Sequence, residues 1–280
     1  MTRFINNTKT ALLLGGLFGL ILLAGQLIGG TQGLVLAFIL GGATNIVAFF
    51  FSDKIAIASM RGQQVDERNA PELLDMVARL ANRAELPMPK VYICPQQAPN
   101  AFATGRSPKR SAVAVTQGAL QLLTYDELEG VMAHEMAHIQ NRDTLTSTIA
   151  ATIAGAISML GYIFMFGGGN RDTHPAAALL MIIVAPIASM IIQMAISRSR
   201  EYVADHDAAE LVGSPHGLIS ALQKLEAQAQ RIPLQNENPA QNHMFIVQPL
   251  AGMGGKGGLT GLFRTHPHTA DRIAKLRELA

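Results

Sequence analysis

Four long uncharged runs dominate the pattern of apolar and polar positions along the chain. They cover residues 11–30, 34–51, 145–166 and 176–197, and they are rich in glycine, alanine and large aliphatic residues. A helix needs about 20 predominantly apolar residues to cross the hydrocarbon core of a bilayer. The runs therefore predict four transmembrane helices, arranged as two hairpins.

Two of these runs also fit other structures. The first resembles the core of a cleaved signal peptide, but it is longer than usual, lacks a small-x-small cleavage site and is followed at once by another run. The third run is the least apolar and also fits a buried helix of a soluble domain. Four spans remain the expectation.

The positions of the cations predict the orientation of the spans. Lysine and arginine precede the first run, lie between the second and third, and follow the fourth; they include Arg3, Lys9, Lys54, Arg61, Arg142, Arg198 and Arg200. By the positive-inside rule, both termini and the segment between the hairpins face the cytoplasm. Cys94 is the only cysteine, which excludes an intrachain disulfide and fits that compartment.

The remaining segments, residues 52–144 and 198–280, have the pattern of a soluble domain split in two by the second hairpin. Short extended stretches predict three strands, over residues 90–94, 100–105 and 111–116. Together with the helices described next, they predict a small α+β unit.

Two helices are predicted in the first soluble segment. One begins near Pro71, with Asn69 as its N-cap. The other follows Thr124, which forms a capping box with Glu127. A further helix is predicted over residues 215–230, where leucines recur at helical spacing.

The overall composition adds little about partners. Hydrophobic residues make up 49% of the chain and charged residues 15%, and 22 Lys+Arg against 20 Asp+Glu give a net charge of +2. This balance favours no particular partner, and the chain has no nucleic-acid-binding motif. A nucleic-acid partner is therefore not expected.

The motif H-E-x-x-H occurs at residues 134–138, within the helix capped by Thr124. Residues four apart share one helical face, so His134 and His138 can bind one metal ion. Zinc lowers the pKa of water to about 7, and the neighbouring Glu135 can accept a proton from that water.

A catalytic zinc ion usually has three protein ligands, so one more is required. Glu201 and Asp205 lie four residues apart just after the fourth apolar run. We expect Glu201 to be the third ligand and Asp205 to hold an imidazole through its other ring nitrogen. A charged helix start at the membrane surface is the alternative interpretation of this stretch.

The place of the motif separates classes of membrane protein. It lies outside the apolar runs, so the chemistry is expected in water close to the bilayer. A metal-binding or transport protein without hydrolytic activity would need polar ligands inside the spans, yet Gln26, Asn45 and Gln193 are the only strongly polar residues there. An inactive scaffold is disfavoured by the intact Glu135.

Four stretches carry a resemblance to a known family. They are residues 134–143, residues 201–205, residues 100–103 and residues 265–267. With these motifs the chain resembles the HtpX-type membrane-bound zinc metalloproteases, bacterial heat-shock endopeptidases related to the prenyl-protein CAAX endopeptidases. The resemblance covers essentially the whole chain.

The resemblance implies a mostly helical α+β fold, in which four spans carry a cytoplasmic thermolysin-like (gluzincin) protease domain. It implies one Zn²⁺ per chain on His134, His138 and Glu201, with Glu135 as the general base. The strand that begins with Asn100, Ala101, Phe102 and Ala103 is implied to pair with an extended substrate. Finally, it implies that His266 stabilises the oxyanion or temporarily occupies the open position on the metal, and that Asp205, Asp143 and Arg272 support the site. His268 is treated as a surface residue.

The resemblance also implies a location and a role. The expected protein is a multi-pass protein of the bacterial inner membrane whose active site faces the cytoplasm. Its expected partners are the lipid bilayer and unfolded or misfolded membrane proteins, which it would cleave in stress response and quality control.

Overall fold

The chain divides into two compact units, each made of two sequence segments. One unit consists of Met1–Phe51 and Thr146–Ile196, and the other of Ser52–Leu145 and Ser197–Ala280. The split falls close to the domain boundaries expected from the sequence, which themselves stay a prediction. The second unit contains the H-E-x-x-H motif.

A computed structural model describes residues 53–143, 198–231 and 267–280, with scattered positions between residues 15 and 51. The apolar runs at 145–166 and 176–197 lie outside the described residues, and those at 11–30 and 34–51 are described only in part. Among the helices that are described, none has both the length and the apolar character needed to cross a membrane. The four spans therefore stay a prediction.

The described part of the second unit is a mostly helical α+β fold, as predicted. Its elements in chain order are β1 (Gln63–Gln64), α1 (Pro71–Arg83), β2 (Lys90–Cys94), β3 (Ala101–Ser107), β4 (Arg110–Thr116), α2 (Gln117–Leu122), α3 (Tyr125–Asn141), α4 (Arg198–Val212), α5 (His216–Arg231) and α6 (Thr269–Arg277).

The four described strands form one sheet in the order β1-β2-β4-β3. β4 pairs in parallel with β2 and antiparallel with β3. It is buried from Ser111 to Thr116, because it has a strand on each side and is covered on both faces. β3 is the outer strand at this end of the described sheet.

The backbone groups of β3 alternate between its partner β4 and the opposite edge of the strand. Thr116 N–H donates to the Asn100 carbonyl at 2.9 Å, so this pair and every second pair after it share the ladder hydrogen bonds. The backbone N–H and C=O groups of Ala101 and Ala103 consequently point away from β4.

Helix α3, which carries the motif, runs through the core. Every residue from Gly130 to Ala137 is buried, because the helix packs against β3, α4 and α5. A helix surrounded in this way is buried on all sides and does not show a single apolar stripe. His134 and Glu135 therefore lie inside the protein, and His138 is partly buried.

Two glycines allow α3 and α5 to cross closely. A Cβ atom on Gly130 would lie 2.6 Å from the Leu218 backbone nitrogen, and one on Gly217 would lie 2.3 Å from the Asp126 carbonyl oxygen. Both distances are too short for a side chain, so the absence of a Cβ at these positions fixes how near the motif helix lies to α5.

The structure corrects the prediction at the start of α1. Asn69 is not its N-cap: the helix begins after Ala70, and the Asn69 side chain accepts a hydrogen bond from the Asp66 backbone at 2.8 Å. The Asn69 side chain is therefore bonded within the preceding turn, to a residue upstream, and does not cap the helix. β1 and α2 were not predicted, since two and six residues are too few for a periodic pattern.

The N-terminus of α3 is tied to α5 by one buried carboxylate. Glu127 accepts hydrogen bonds from the Thr124 backbone at 2.8 Å, as the capping-box pattern predicts, from Ser220 at 2.6 Å and from Lys224 at 2.7 Å. Burial alone would raise the pKa of Glu127, but these partners outweigh it and lower the pKa to about 2. The charged form is therefore the one that stabilises the fold.

We expect Glu127→Gln to lower stability by about 1–3 kcal/mol near neutral pH, because Lys224 then loses its anionic partner. A lowered pKa in the folded state gives stability that is complete above the ordinary value near 4.5 and is lost as the pH falls towards 2. The difference between wild type and variant in thermal midpoint should thus shrink between pH 7 and pH 3. Exposed Glu72→Gln is the control, and a difference that stays constant over this range would contradict the assignment.

Candidate metal centre

Three side chains from two helices converge in the core of the second unit. His134 and His138 project from α3, and Glu201 projects from the first turn of α4. The two Nε2 atoms lie 3.1 Å apart. Glu201 Oε2 lies 3.6 Å from His134 Nε2, and Glu201 Oε1 lies 3.6 Å from His138 Nε2.

These distances match the needs of a zinc ion. Zinc binds imidazole nitrogen and carboxylate oxygen at about 2.0–2.2 Å in tetrahedral geometry, which places neighbouring ligand atoms about 3.3–3.6 Å apart. Two imidazoles and one carboxylate are also a usual donor set for a catalytic zinc, with a fourth position left for water. The residues present fit the metal.

A carboxylate holds each of the two histidines from behind. His134 Nδ1 lies 3.0 Å from Asp205 Oδ1, and His138 Nδ1 lies 3.3 Å from Asp143 Oδ2. A carboxylate on Nδ1 keeps the proton on that nitrogen and leaves Nε2 to bind the metal. Both imidazoles are therefore oriented with Nε2 towards Glu201.

Asp143 reaches His138 because of the way α3 ends. Arg142 adopts a left-handed conformation with φ of 60°, and its backbone N–H donates to the carbonyl groups of the preceding turn. This conformation ends the helix and turns the chain, so that the next residue lies over the last turn. The carboxylate of Asp143 thereby meets a histidine five residues upstream.

Arg272, in α6, neutralises the carboxylates on the other side of the site. It is 1% exposed and donates two hydrogen bonds to Asp205, from Nε at 2.8 Å and from Nη2 at 2.6 Å. Its Nη1 also lies 3.5 Å from Glu201 Oε2. Burial would raise the pKa of Asp205, but the arginine and His134 outweigh it and lower the pKa to about 2.

The charge around His134 shows how the site responds to a metal. Burial would lower the pKa of His134, but Asp205 and Glu201 outweigh it and raise the pKa to about 9. The imidazole therefore keeps a proton near neutral pH when no metal is present. Metal binding must displace this proton, so it is coupled to proton release.

Glu135 lies beside the ligands and is 5% exposed. Burial raises its pKa, and this effect outweighs the opposing influence of the two imidazoles and of a hydrogen bond with the Ala103 backbone. A buried carboxyl group with a raised pKa is suited to accept and return a proton near neutral pH. The same contact places Glu135 next to the outer strand β3.

The structure thus brings together most of the residues singled out in the sequence. The ligand candidates, Glu135, Asp143, Asp205 and Arg272 surround one point, and the stretch from Asn100 to Ala103 lies in or next to β3, which packs on α3. His268 is exposed, and His266 lies outside the described residues. The roles of these residues remain predictions.

One residue of the site was not identified from the sequence. Arg200 was taken only as a cation that follows an apolar run, yet it is 5% exposed and its Nη1 lies 3.5 Å from Asp143 Oδ1. Its position directly before Glu201 was the available signal. A cation at the end of an apolar run has the same pattern whether it faces lipid headgroups or a buried carboxylate.

Two imidazoles and a carboxylate around a zinc-sized site, with a buried glutamate next to the first histidine, define a metal-dependent peptidase of the H-E-x-x-H class. A family model described as Peptidase family M48 matches residues 67–280. The chain belongs to peptidase family M48, and it is a zinc-dependent metalloprotease.

Relatives along the whole chain agree with this assignment. A protein from Salinibacter ruber named Protease HtpX homolog is 50% identical over 276 residues, covering 99% of both chains. Relatives of the same name from Methylibium petroleiphilum and Pelotomaculum thermopropionicum are each 48% identical, covering 97% and 99% of this chain and 96% and 100% of their own. The resemblance to HtpX-type proteases is confirmed.

A solved structure shares the fold. The crystal structure of S. mikatae Ste24p matches with a TM-score of 0.57 at 18% identity, covering 98% of this chain and 66% of that chain. The M48 fold of the chain is thereby shown.

We expect Asp205→Asn to weaken zinc binding about 10–100-fold, because the amide cannot hold the His134 Nδ1 proton as a carboxylate does. Competition with a chelating dye measures the zinc affinity of the purified protein. Asp126→Asn is the control: Asp126 is exposed and lies on the motif helix α3. Equal zinc affinity in Asp205→Asn and wild type would show that Asp205 does not orient the ligand.

Proposed function

We propose that the protein is a membrane-anchored zinc endopeptidase that hydrolyses peptide bonds of protein substrates at the cytoplasmic face. The observation that carries this proposal is the convergence of His134, His138 and Glu201 next to a buried Glu135. A zinc ion on these ligands supplies Lewis acidity, which polarises a carbonyl group and makes water more acidic.

Glu135 is the proposed general base and acid. Its carboxylate accepts a proton from the attacking water and then delivers that proton to the amine that leaves. Both steps are easiest when the pKa lies close to the working pH, and burial moves the pKa of Glu135 in that direction. Asp205 and Asp143 keep the two histidines oriented while the proton moves.

The outer strand β3 is the proposed binding place for substrate. An extended peptide can pair with the Ala101 backbone groups and the Ala103 carbonyl, which point away from β4, whereas the Ala103 N–H donates to Glu135. Ala103 also contacts Glu135, so a peptide paired here has its backbone next to the general base. Recognition through backbone groups suits a protease that cleaves unfolded chains of varied sequence.

His266 is the proposed stabiliser of the developing oxyanion. This role is supported by the resemblance alone, since the residue lies outside the described part of the chain. Arg272, five residues before the end of α6, contacts Asp205 and Glu201 and so connects the C-terminal segment to the metal ligands.

The membrane arrangement is proposed from the sequence. Four uncharged runs, with cations at their proposed cytoplasmic ends, support two hairpins with the protease domain on the inner side of a bacterial inner membrane. The division of the chain into two compact units supports the same plan. Misfolded membrane proteins are the proposed substrates, and quality control is the proposed role.

Glu135→Gln should retain zinc but lose hydrolysis, because the amide keeps the size of the side chain and cannot accept the proton. We expect a fall of at least about 100-fold in the cleavage rate of an unfolded protein such as casein, measured in detergent with zinc. Glu129→Gln, on the same helix and half-buried, should cleave at the wild-type rate. A chelator should stop cleavage by wild type and by this control alike.

Undiminished cleavage by Glu135→Gln would contradict the mechanism. Zinc bound with normal affinity, but without cleavage even by wild type, would favour a metal-binding or transport protein over a peptidase.

A further inference from the structure

A second arginine lies buried near the metal ligands. It contacts the carboxylate behind His138, whereas Arg272 contacts the carboxylate behind His134. Arg200 is 5% exposed and directly precedes the ligand Glu201 in α4. Its Nη1 lies 3.5 Å from Asp143 Oδ1, and the other oxygen of Asp143 lies 3.3 Å from His138 Nδ1. The arginine is thus connected to a ligand through one carboxylate.

Charge compensation explains why this guanidinium is kept inside the protein. Burying an arginine is unfavourable unless an anion lies close by. Within the described residues, the buried Nε and Nη1 atoms of Arg200 make no hydrogen bond, and Asp143 is its ion-pair partner. The contact between them is therefore one of charge, which holds the carboxylate in place without directing it through a fixed hydrogen bond.

The two histidines have supports of the same kind. His134 is backed by Asp205, which is held by Arg272, and His138 is backed by Asp143, which is held by Arg200. The first arginine binds tightly, with two hydrogen bonds of 2.6 and 2.8 Å. Among the described residues, the second makes one contact of 3.5 Å with its carboxylate, so the His138 side of the site has the weaker support there.

The position of Arg200 in the chain gives this ion pair a second consequence. Asp143 is the last described residue before the segment 144–197, and Arg200 follows that segment in the first turn of α4. The segment contains the second predicted membrane hairpin. The ion pair therefore joins the two ends of this segment. One end follows the ligand His138 closely in the sequence, and the other directly precedes the ligand Glu201.

We propose that Arg200 is a positioning residue for the metal centre: it holds Asp143 against His138 and thereby couples the ligands His138 and Glu201 across the segment 144–197. Without the arginine, Asp143 loses its counter-charge, and the His138 imidazole loses the contact that aims Nε2 at the metal. The inference rests on the zinc site of the proposed function but does not depend on hydrolysis.

The test compares four variants of the full-length protein in detergent: Arg200→Met, Arg200→Lys, Asp143→Asn and the double variant Arg200→Met with Asp143→Asn. Methionine keeps an apolar stem and removes the charge, whereas lysine keeps the charge. Zinc affinity is measured by competition with a chelating dye, and kcat and KM for a peptide are measured at saturating zinc. Arg83→Met is the matched control, because Arg83 also contacts α4, through the Leu211 carbonyl at 2.9 Å.

We expect zinc affinity to fall about 10–100-fold in Arg200→Met and in Asp143→Asn, and to be largely restored in Arg200→Lys. The double variant should bind zinc at least as tightly as the single variant that has the lower zinc affinity, because the arginine acts only through the aspartate. KM should stay unchanged, and added zinc should recover kcat. Arg83→Met should bind zinc like wild type.

Two results would overturn the proposal: wild-type zinc affinity in Arg200→Met, whether or not its zinc-free form has a lower thermal midpoint, or additive losses in the double variant. If Arg200→Met does not fold, Arg200→Lys and Asp143→Asn still decide, since equal affinity in Asp143→Asn and wild type removes the link. A protein that shows the expected zinc affinities but cleaves nothing would refute the proposed function and leave this inference standing.

Discussion

The structure depends on one geometric constraint: three ligand atoms must lie about 3.3–3.6 Å apart around a zinc ion, although they come from separate parts of the sequence. Two of them are fixed by the helical period within α3. The third, on Glu201, comes from α4, beyond the segment 144–197. Everything that fixes the packing of α4 on α3 therefore fixes the geometry of the metal centre.

Buried charge is balanced closely around this site. Glu201, Asp205 and Asp143 are each 5% exposed or less, and Arg272 and Arg200 lie among them with similar burial. Removing one charged partner from such a set lowers the stability of the fold by much more than the intact pair contributes to it, because the remaining charge has no water to solvate it. The network thus holds the imidazoles in one orientation and discourages other arrangements of the same helices.

Much of the site follows from the sequence because it depends on helical spacing. The pairs His134 with His138 and Glu201 with Asp205 are four residues apart, and strands β2 and β4 contain the valine and isoleucine residues that are typical of strands. Burial of a charged residue is different, since it depends on what packs over it. Arg200 and Asn69 show this: the first lies against a carboxylate and not at a membrane surface, and the second is held in a turn and does not cap α1.

The most direct test of the account is X-ray absorption spectroscopy of the zinc-loaded protein. The account predicts a four-coordinate zinc with two imidazole ligands at about 2.0–2.1 Å, and with oxygen at about 2.0–2.2 Å in the remaining positions. A shell with fewer than two imidazoles, or one with a sulfur atom at about 2.3 Å, would contradict it, because His134, His138 and Glu201 would then not share the ion.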